Sequence, residues 1–233
     1  MNAAQRDGDG LSRLIERTEA LQRIESADRA LAERVRELRA WQAARLAKTY
    51  ADLAAEERQA PAIDFFLTDL YGPQDFSRRD RQLARARALL ERTLPRGALR
   101  VLVDAVELYV LSGELDHALA KALAPGPISA QSYASAYRAA GRPADRRRQI
   151  ELIVRIGERL AQAVGQPLMG LALRATHVPA HAAGFGALQD FLERGFEAFR
   201  RLGDARKFLD TIRARESALS EALFRGEANP FAA

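Results

Sequence analysis

At 233 residues, with 48% apolar residues, the chain is long enough to bury the core of one domain. It contains no cysteine, which excludes disulfides, thiolate zinc sites, iron–sulfur ligation and a cysteine nucleophile. The net charge of +5 is spread along the chain rather than gathered on an arm, which argues against nucleic-acid binding, and no stretch approaches the ~20 apolar residues of a membrane span.

All but three of the 36 basic residues are arginine, and most have acidic neighbours at helical spacing. The first ten residues are polar and lack a basic-then-apolar signal pattern, so with the missing cysteines the expectation is a cytoplasmic protein. Alanine, leucine, arginine and glutamate dominate, and no segment alternates apolar and polar over strand length. The expected class is all-α, a bundle of about eight to ten helices with a long N-terminal amphipathic helix or helical hairpin.

Residues 1–10 are expected to be disordered, followed by a single helical domain over 11–226 and a tail over 227–233. The first helix, 11–24, carries Leu11, Leu14, Ile15, Leu21 and Ile24 as its stripe. Ser26 or Asp28 then offers an N-cap for a helix reaching about residue 57, with Leu31, Val35, Leu38, Trp41 and Leu46 on one side. The narrow stripe and charged flanks suit a protruding hairpin over 11–58, or one continuous rod, that contacts another helix.

Pro61 starts a short helix, and Gly72-Pro73 ends it. A helix over 77–94 follows, opened by Ser77 and Asp80, with Arg78, Arg81, Arg85 and Arg92 on one side as a solvated face. From Gly97 to Leu111 the chain is apolar on nearly all sides, which predicts a central helix, and Ser112-Gly113 permits a break. Pro125-Gly126-Pro127 is the clearest loop, Ser129 caps a helix to residue 140, and a helix over 143–164 follows. A shorter helix over 168–176 is expected to stop before Pro179. Helices over about 182–202 and 204–225 complete the chain, and Asn229-Pro230-Phe231 reads as a terminal segment folding back.

Few residues suggest chemistry. Asp104 and Glu107, three apart on the apolar helix, could do acid–base work but are expected to be neutralised by arginine, Arg100 being the nearest. Glu114-Leu115-Asp116-His117 has the Glu-x-x-His spacing of di-iron bundles, without the second copy those sites need. His177 and His181 have metal-ligand spacing on a helix, but Pro179 between them suggests a loop or first turn. The run Arg146-Arg147-Arg148 has Asp145 and Glu151 close enough to offset it. There is no phosphate loop, nucleophile elbow or dinucleotide fingerprint, and no cofactor or metal is expected.

The most distinctive string is Phe65-Phe66-Leu67-Thr68-Asp69-Leu70-Tyr71-Gly72-Pro73, continuing as Gln74-Asp75-Phe76-Ser77-Arg78-Arg79-Asp80. Three consecutive large apolar residues cannot share one helix face, so an aromatic wedge under a chain corner is expected, latched by Asp64 and Asp69 to the arginines at 78–81. On this string, and on Ala183-Gly184-Phe185-Gly186-Ala187-Leu188-Gln189 leading into Phe191-Leu192-Glu193-Arg194-Gly195-Phe196, the chain resembles the bacterial FFLEELY-motif proteins. It departs from that motif at Thr68 and Asp69, where the name has glutamate, and keeps one carboxylate. The resemblance implies a helical fold and no particular activity. The leading expectation is a non-catalytic protein that associates with itself or another protein through its N-terminal helices. The alternative is a ligand-binding or enzymatic bundle with a pocket near Asp104 and Glu107 and contacts from His117, His177 or His181.

Overall fold

A computed structural model describes residues 3–70, 96–166, 168–228 and 230–231. It is all-α: 84% helical, with ten helices and no strand among the described residues. In chain order these are α1 (Ala3–Ala27), α2 (Arg29–Thr49), α3 (Ala51–Ala54), α4 (Ala60–Phe65), a π-helical turn (Phe66–Leu70), α5 (Arg96–Ala122), α6 (Ala130–Ala140), α7 (Pro143–Val164), α8 (Met169–Ala182), α9 (Gly186–Arg201) and α10 (Ala205–Arg225). The expected helix over 77–94, with Tyr71, Gly72, Pro73, Asp75, Arg78, Arg79, Asp80, Arg81, Arg85 and Arg92, lies outside the described residues.

α1 starts at Ala3, inside the stretch expected to be disordered, where alanine and glutamine favour helix. Asp28 divides α1 from α2: its backbone is extended and its carboxylate accepts a 2.9 Å hydrogen bond from the Leu31 N–H. The two helices are therefore a hairpin and not a rod. The hairpin does not protrude. Leu11 and Leu14 close on Val106 and Val110, while Leu31, Val35 and Leu38 close on Leu119 and Leu123. α1 runs along α5 and α2 runs back against it, because Arg17 meets Glu114 and Glu25 meets His117, whereas Arg34 meets the Ala124 carbonyl and Arg39 meets Asp116. Apart from Ile24, which is exposed, the apolar stripes expected to face a partner instead pack within the protein, chiefly on its own central helix. α2 stops at Thr49, well short of residue 57, where Tyr50 leaves helical geometry.

α5 is that centre, touching α1, α2, α6 and α7. It runs unbroken through Ser112-Gly113. Gly113 serves packing rather than interruption: a Cβ there would lie 2.9 Å from Leu21 Cδ1, so its absence lets α1 approach. Ser112 is used too, its hydroxyl accepting a 2.7 Å bond from Gln149 of α7.

Ser129 caps α6 as expected, its side chain and that of Ser132 each bonding the other's N–H. α7 lies between α5 and α10, burying Leu152, Ile153, Val154 and Ile156 with Phe208, Leu209 and Ile212. Phe231 returns edge-on to Trp41 and Tyr133, whose rings stack 4.3 Å apart, so the tail folds back.

Candidate functional site

The carboxylates of the central helix are held by arginines of α7. Asp104 is buried, and Arg159 Nη1 lies 2.6 Å and Arg155 Nη1 3.7 Å from its oxygens. Burial pushes the Asp104 carboxyl above its ordinary value, and these two guanidinium groups oppose the shift. Glu107 takes a bidentate pair from Arg148 at 2.9 and 3.0 Å. The expectation that arginine neutralises both holds, and Arg148, Arg155 and Arg159 do so from α7, more than 40 residues on. Glu114 pairs with Arg17 and Arg142, Asp116 with Arg39, and His117 Nε2 lies 2.9 Å from Glu25. The bond with His117 leads the lowering of the Glu25 carboxyl, followed by the charge of Arg39. The Glu-x-x-His spacing therefore leads to separate partners.

Two small cavities adjoin this centre, of about 40 and 60 Å³. Arg45, Gln149, Ile150 and Glu216 line both. Glu216 accepts from Arg45 Nη1 at 2.7 Å and from the Tyr50 hydroxyl at 2.9 Å. Such volumes admit a few waters, whereas ligand pockets span roughly 300–1,000 Å³. Arg146 is buried beside them, bonded to Gln149 at 3.1 Å and stacked 4.7 Å over the Tyr137 ring.

The two segments behind the family resemblance pack against each other. Phe65 is buried, tilts against Phe191 at 5.3 Å and meets α9 at Gly195, where a Cβ would come 3.0 Å from its ring. Phe66 leaves helical register as the π-helical turn begins and faces Phe208 at 6.3 Å. Buried Asp69 takes a two-pronged ion pair from Arg194 of α9. The aromatic packing of the wedge is present, and Asp69 pairs with Arg194, a partner not expected; the expected latch from Asp64 and Asp69 to the arginines at 78–81 lies outside the described residues.

The other side of α9 carries α8. His177 and His181 were expected in a loop or first turn, yet α8 continues through Pro179 to Ala182. Proline removes one N–H and does not stop the helix, because α8 is at the surface and its last turn closes on the Ala180, Pro179 and His181 carbonyls. The two imidazoles therefore sit one turn apart with ring centroids separated by 4.5 Å. Each meets a carboxylate of α9: His177 Nδ1 lies 3.0 Å from both Glu193 oxygens, and His181 Nε2 lies 2.9 Å from Asp190 Oδ1. Gln189, buried between the helices, donates to the Leu173 carbonyl and to Glu193, each at 2.8 Å. That bond leads the lowering of the Glu193 carboxyl, with His177 adding to it. The histidines were legible as candidates. Asp190 and Glu193 were missed, although the turn at Gly184 and their three-residue spacing could have placed them opposite.

α8 is otherwise unusual in burying none of its residues. Leu168 is 72% exposed, Leu171 57% and Val178 72%. With Ala172, Ala175, Pro179 and Ala182, all exposed, they make an outward strip with no charged residue. Arg174 flanks it.

Residues 21–230 match the family described as Domain of unknown function (DUF8198), and the chain belongs to that family. No curated protein and no solved structure matches the chain.

Proposed function

Taking membership of that family as the premise, we propose that this protein is a non-catalytic helical protein that associates with a second copy of itself through the outer face of α8. The observation that carries this is the strip from Leu168 to Ala182, apolar and exposed on a helix that buries nothing. Contiguous apolar surface of this kind marks an interaction site. The N-terminal helices, first expected to supply the contact, spend their stripes on α5.

The strip has no charge with which to select a charged partner, so its complement is another apolar helical face. It is also close to self-complementary. Ala175 stands at its middle, with Leu171 one turn before and Val178 one turn after. Two α8 helices crossing antiparallel at Ala175 place Leu171 of each against Val178 of the other, the isologous pattern of a two-fold dimer. Alanines at 172, 175 and 182 allow close approach. We read the family as that of the bacterial FFLEELY-motif proteins, on the strength of the Phe65 and Asp69 contacts with α9. A reducing cytoplasm suits a chain without cysteine.

The test is light scattering coupled to size-exclusion chromatography on the full chain and on a Leu171→Glu/Val178→Glu variant. The wild type runs as a dimer at micromolar concentration and the variant as a folded monomer. A wild type that remains monomeric throughout the accessible range overturns the proposal.

A further inference from the structure

We propose that His177, His181 and Asp190, supported by Glu193, form a binding site for a divalent cation of the zinc class. One ligand atom from each of the first three lies within 4.8 Å of the other two. Two histidines four apart on α8 face two acids three apart on α9, so the ligands come from two helices joined by a short turn. Two imidazole nitrogens and carboxylate oxygens are the donor set that zinc accepts, and that cobalt and nickel share, whereas an all-oxygen site would favour magnesium or calcium.

The surroundings suit a cation. Both imidazoles touch carboxylates, so the pair is set against negative charge, and the Arg194 guanidinium, which feels the charge of Asp190, makes its own ion pair with Asp69. Gly186 leaves room for His181, since a Cβ there would lie 2.7 Å from its Nδ1. Gln189 orients Glu193 from behind, the kind of outer support that ligating carboxylates need. The two histidines and Asp190 are about 40–46% exposed at their side chains, so an ion can enter. With the ion in place, two separate imidazole–carboxylate pairs become one shared centre. Small side-chain rotations suffice to converge on it, because the rings already lie one turn apart.

The consequence is mechanical. α8 buries no residue of its own, and its inner face is joined to α9 by Gln189 and these pairs. A metal bound across the two helices ties α8 down and raises the free energy of opening the hairpin. The site faces α9, whereas the apolar strip faces outward, so this inference does not depend on self-association.

The experiment titrates zinc chloride into metal-free, untagged protein by calorimetry, and repeats it with cobalt(II) followed by visible absorption. The expected result is one ion per chain with an affinity of micromolar or better, weakening at least tenfold in His177→Ala, His181→Ala and Asp190→Asn. Binding also weakens in acid, because protons compete with the ion for its ligand atoms. His117, the third and last histidine, is buried against Glu25, so His117→Gln serves as the control and retains binding. Circular dichroism checks that each variant is folded, and Leu171→Glu/Val178→Glu should bind zinc like the wild type. Sub-millimolar binding that is absent, or that survives loss of both His177 and His181, overturns the proposal.

Discussion

α5 and α8 both read as apolar helices, yet one lies at the centre of the molecule and the other buries nothing. Along α5 every neighbour brings a complementary surface: α1 closes on Val106 and Val110, α2 and α6 on Leu119, and α7 supplies arginines for Asp104 and Glu107. Along α8 only the inner side meets the body, through Gln189, the imidazole–carboxylate pairs and the close approach of Gly170 to the Phe196 ring. Hydrophobicity alone does not locate a helix; what decides is how many of its faces the rest of the chain can reach. A central helix is committed to stability, while an apolar strip left outside is free to bind.

Ion pairs should separate the two regions most sharply. Arg45 is mostly buried, its side chain 13% exposed, and Glu216 is its carboxylate partner, with Tyr50 also bonded to that carboxylate. Glu216→Ala strands a buried guanidinium and should cost about 3–5 kcal/mol of unfolding free energy in a urea titration. In the hairpin, Asp190→Asn removes a partner from the half-exposed His181 and should cost less than about 1 kcal/mol in metal-free protein. Equal losses would mean that the hairpin is as desolvated as the core.

The apolar contrast comes next in size. Leu119 is fully buried between α2 and α6, so Leu119→Ala should cost about 3 kcal/mol through lost contacts and the cavity left behind. Leu171→Ala should stay within about 0.5 kcal/mol for the monomer, measured where it does not self-associate, because little surface is buried to lose. A Leu171→Ala loss above 1 kcal/mol would show α8 packed by the chain itself. Between these extremes lies the motif corner. Asp69→Ala should cost about 1–2 kcal/mol, since Asp69 is buried but Arg194 can turn to water. Phe65→Ala, which empties the space against Gly195 and Phe191, should cost more than Asp69→Ala if the wedge and not the latch is the main attachment.

The stripes of α1, α2, α7 and α10 were readable because helical periodicity reports which side is buried, and the loop residues marked where most helices end. What periodicity cannot report is the identity of the facing surface. Val35 and Leu38 look the same whether α5 or a second molecule covers them, so the N-terminal hairpin read as a protruding contact. The partners of Asp104 and Glu107 were equally hidden, because ion pairs across tens of residues leave no local spacing. Two local signals also misled. Gly113 looked like a break but serves close approach to Leu21, and Pro179 looked like a helix start but lies inside α8. The second error separated His177 from His181 and concealed the site, whose acids sit on the next helix.

Acid titration offers the finest test of the same contrast, because a surface pair and a buried carboxylate bend the stability curve in opposite directions. Asp52, more than half exposed, receives both prongs of Arg215 at 2.8 and 2.6 Å, which draw its carboxyl from an ordinary 3.8 down to about 2. A carboxyl lowered on folding contributes stability above about pH 4 and loses it as the pH falls toward 2. Screening by solvent limits this to less than about 1 kcal/mol. Asp104 is raised instead by burial, so the folded state takes up its proton first and protonation relieves the cost of a buried charge. Asp52→Asn should therefore flatten the loss of stability between pH 4 and 2, whereas Asp104→Asn should remove a gain on acidification that falls mainly above pH 4, where the folded carboxyl holds its proton before the unfolded one does. Thermal unfolding from neutral pH down to pH 2 measures both slopes. A steepening by Asp52→Asn would mean that Arg215 is not its partner in solution, and a flattening by Asp104→Asn would mean that Arg159 and Arg155 outweigh burial at the centre of the molecule.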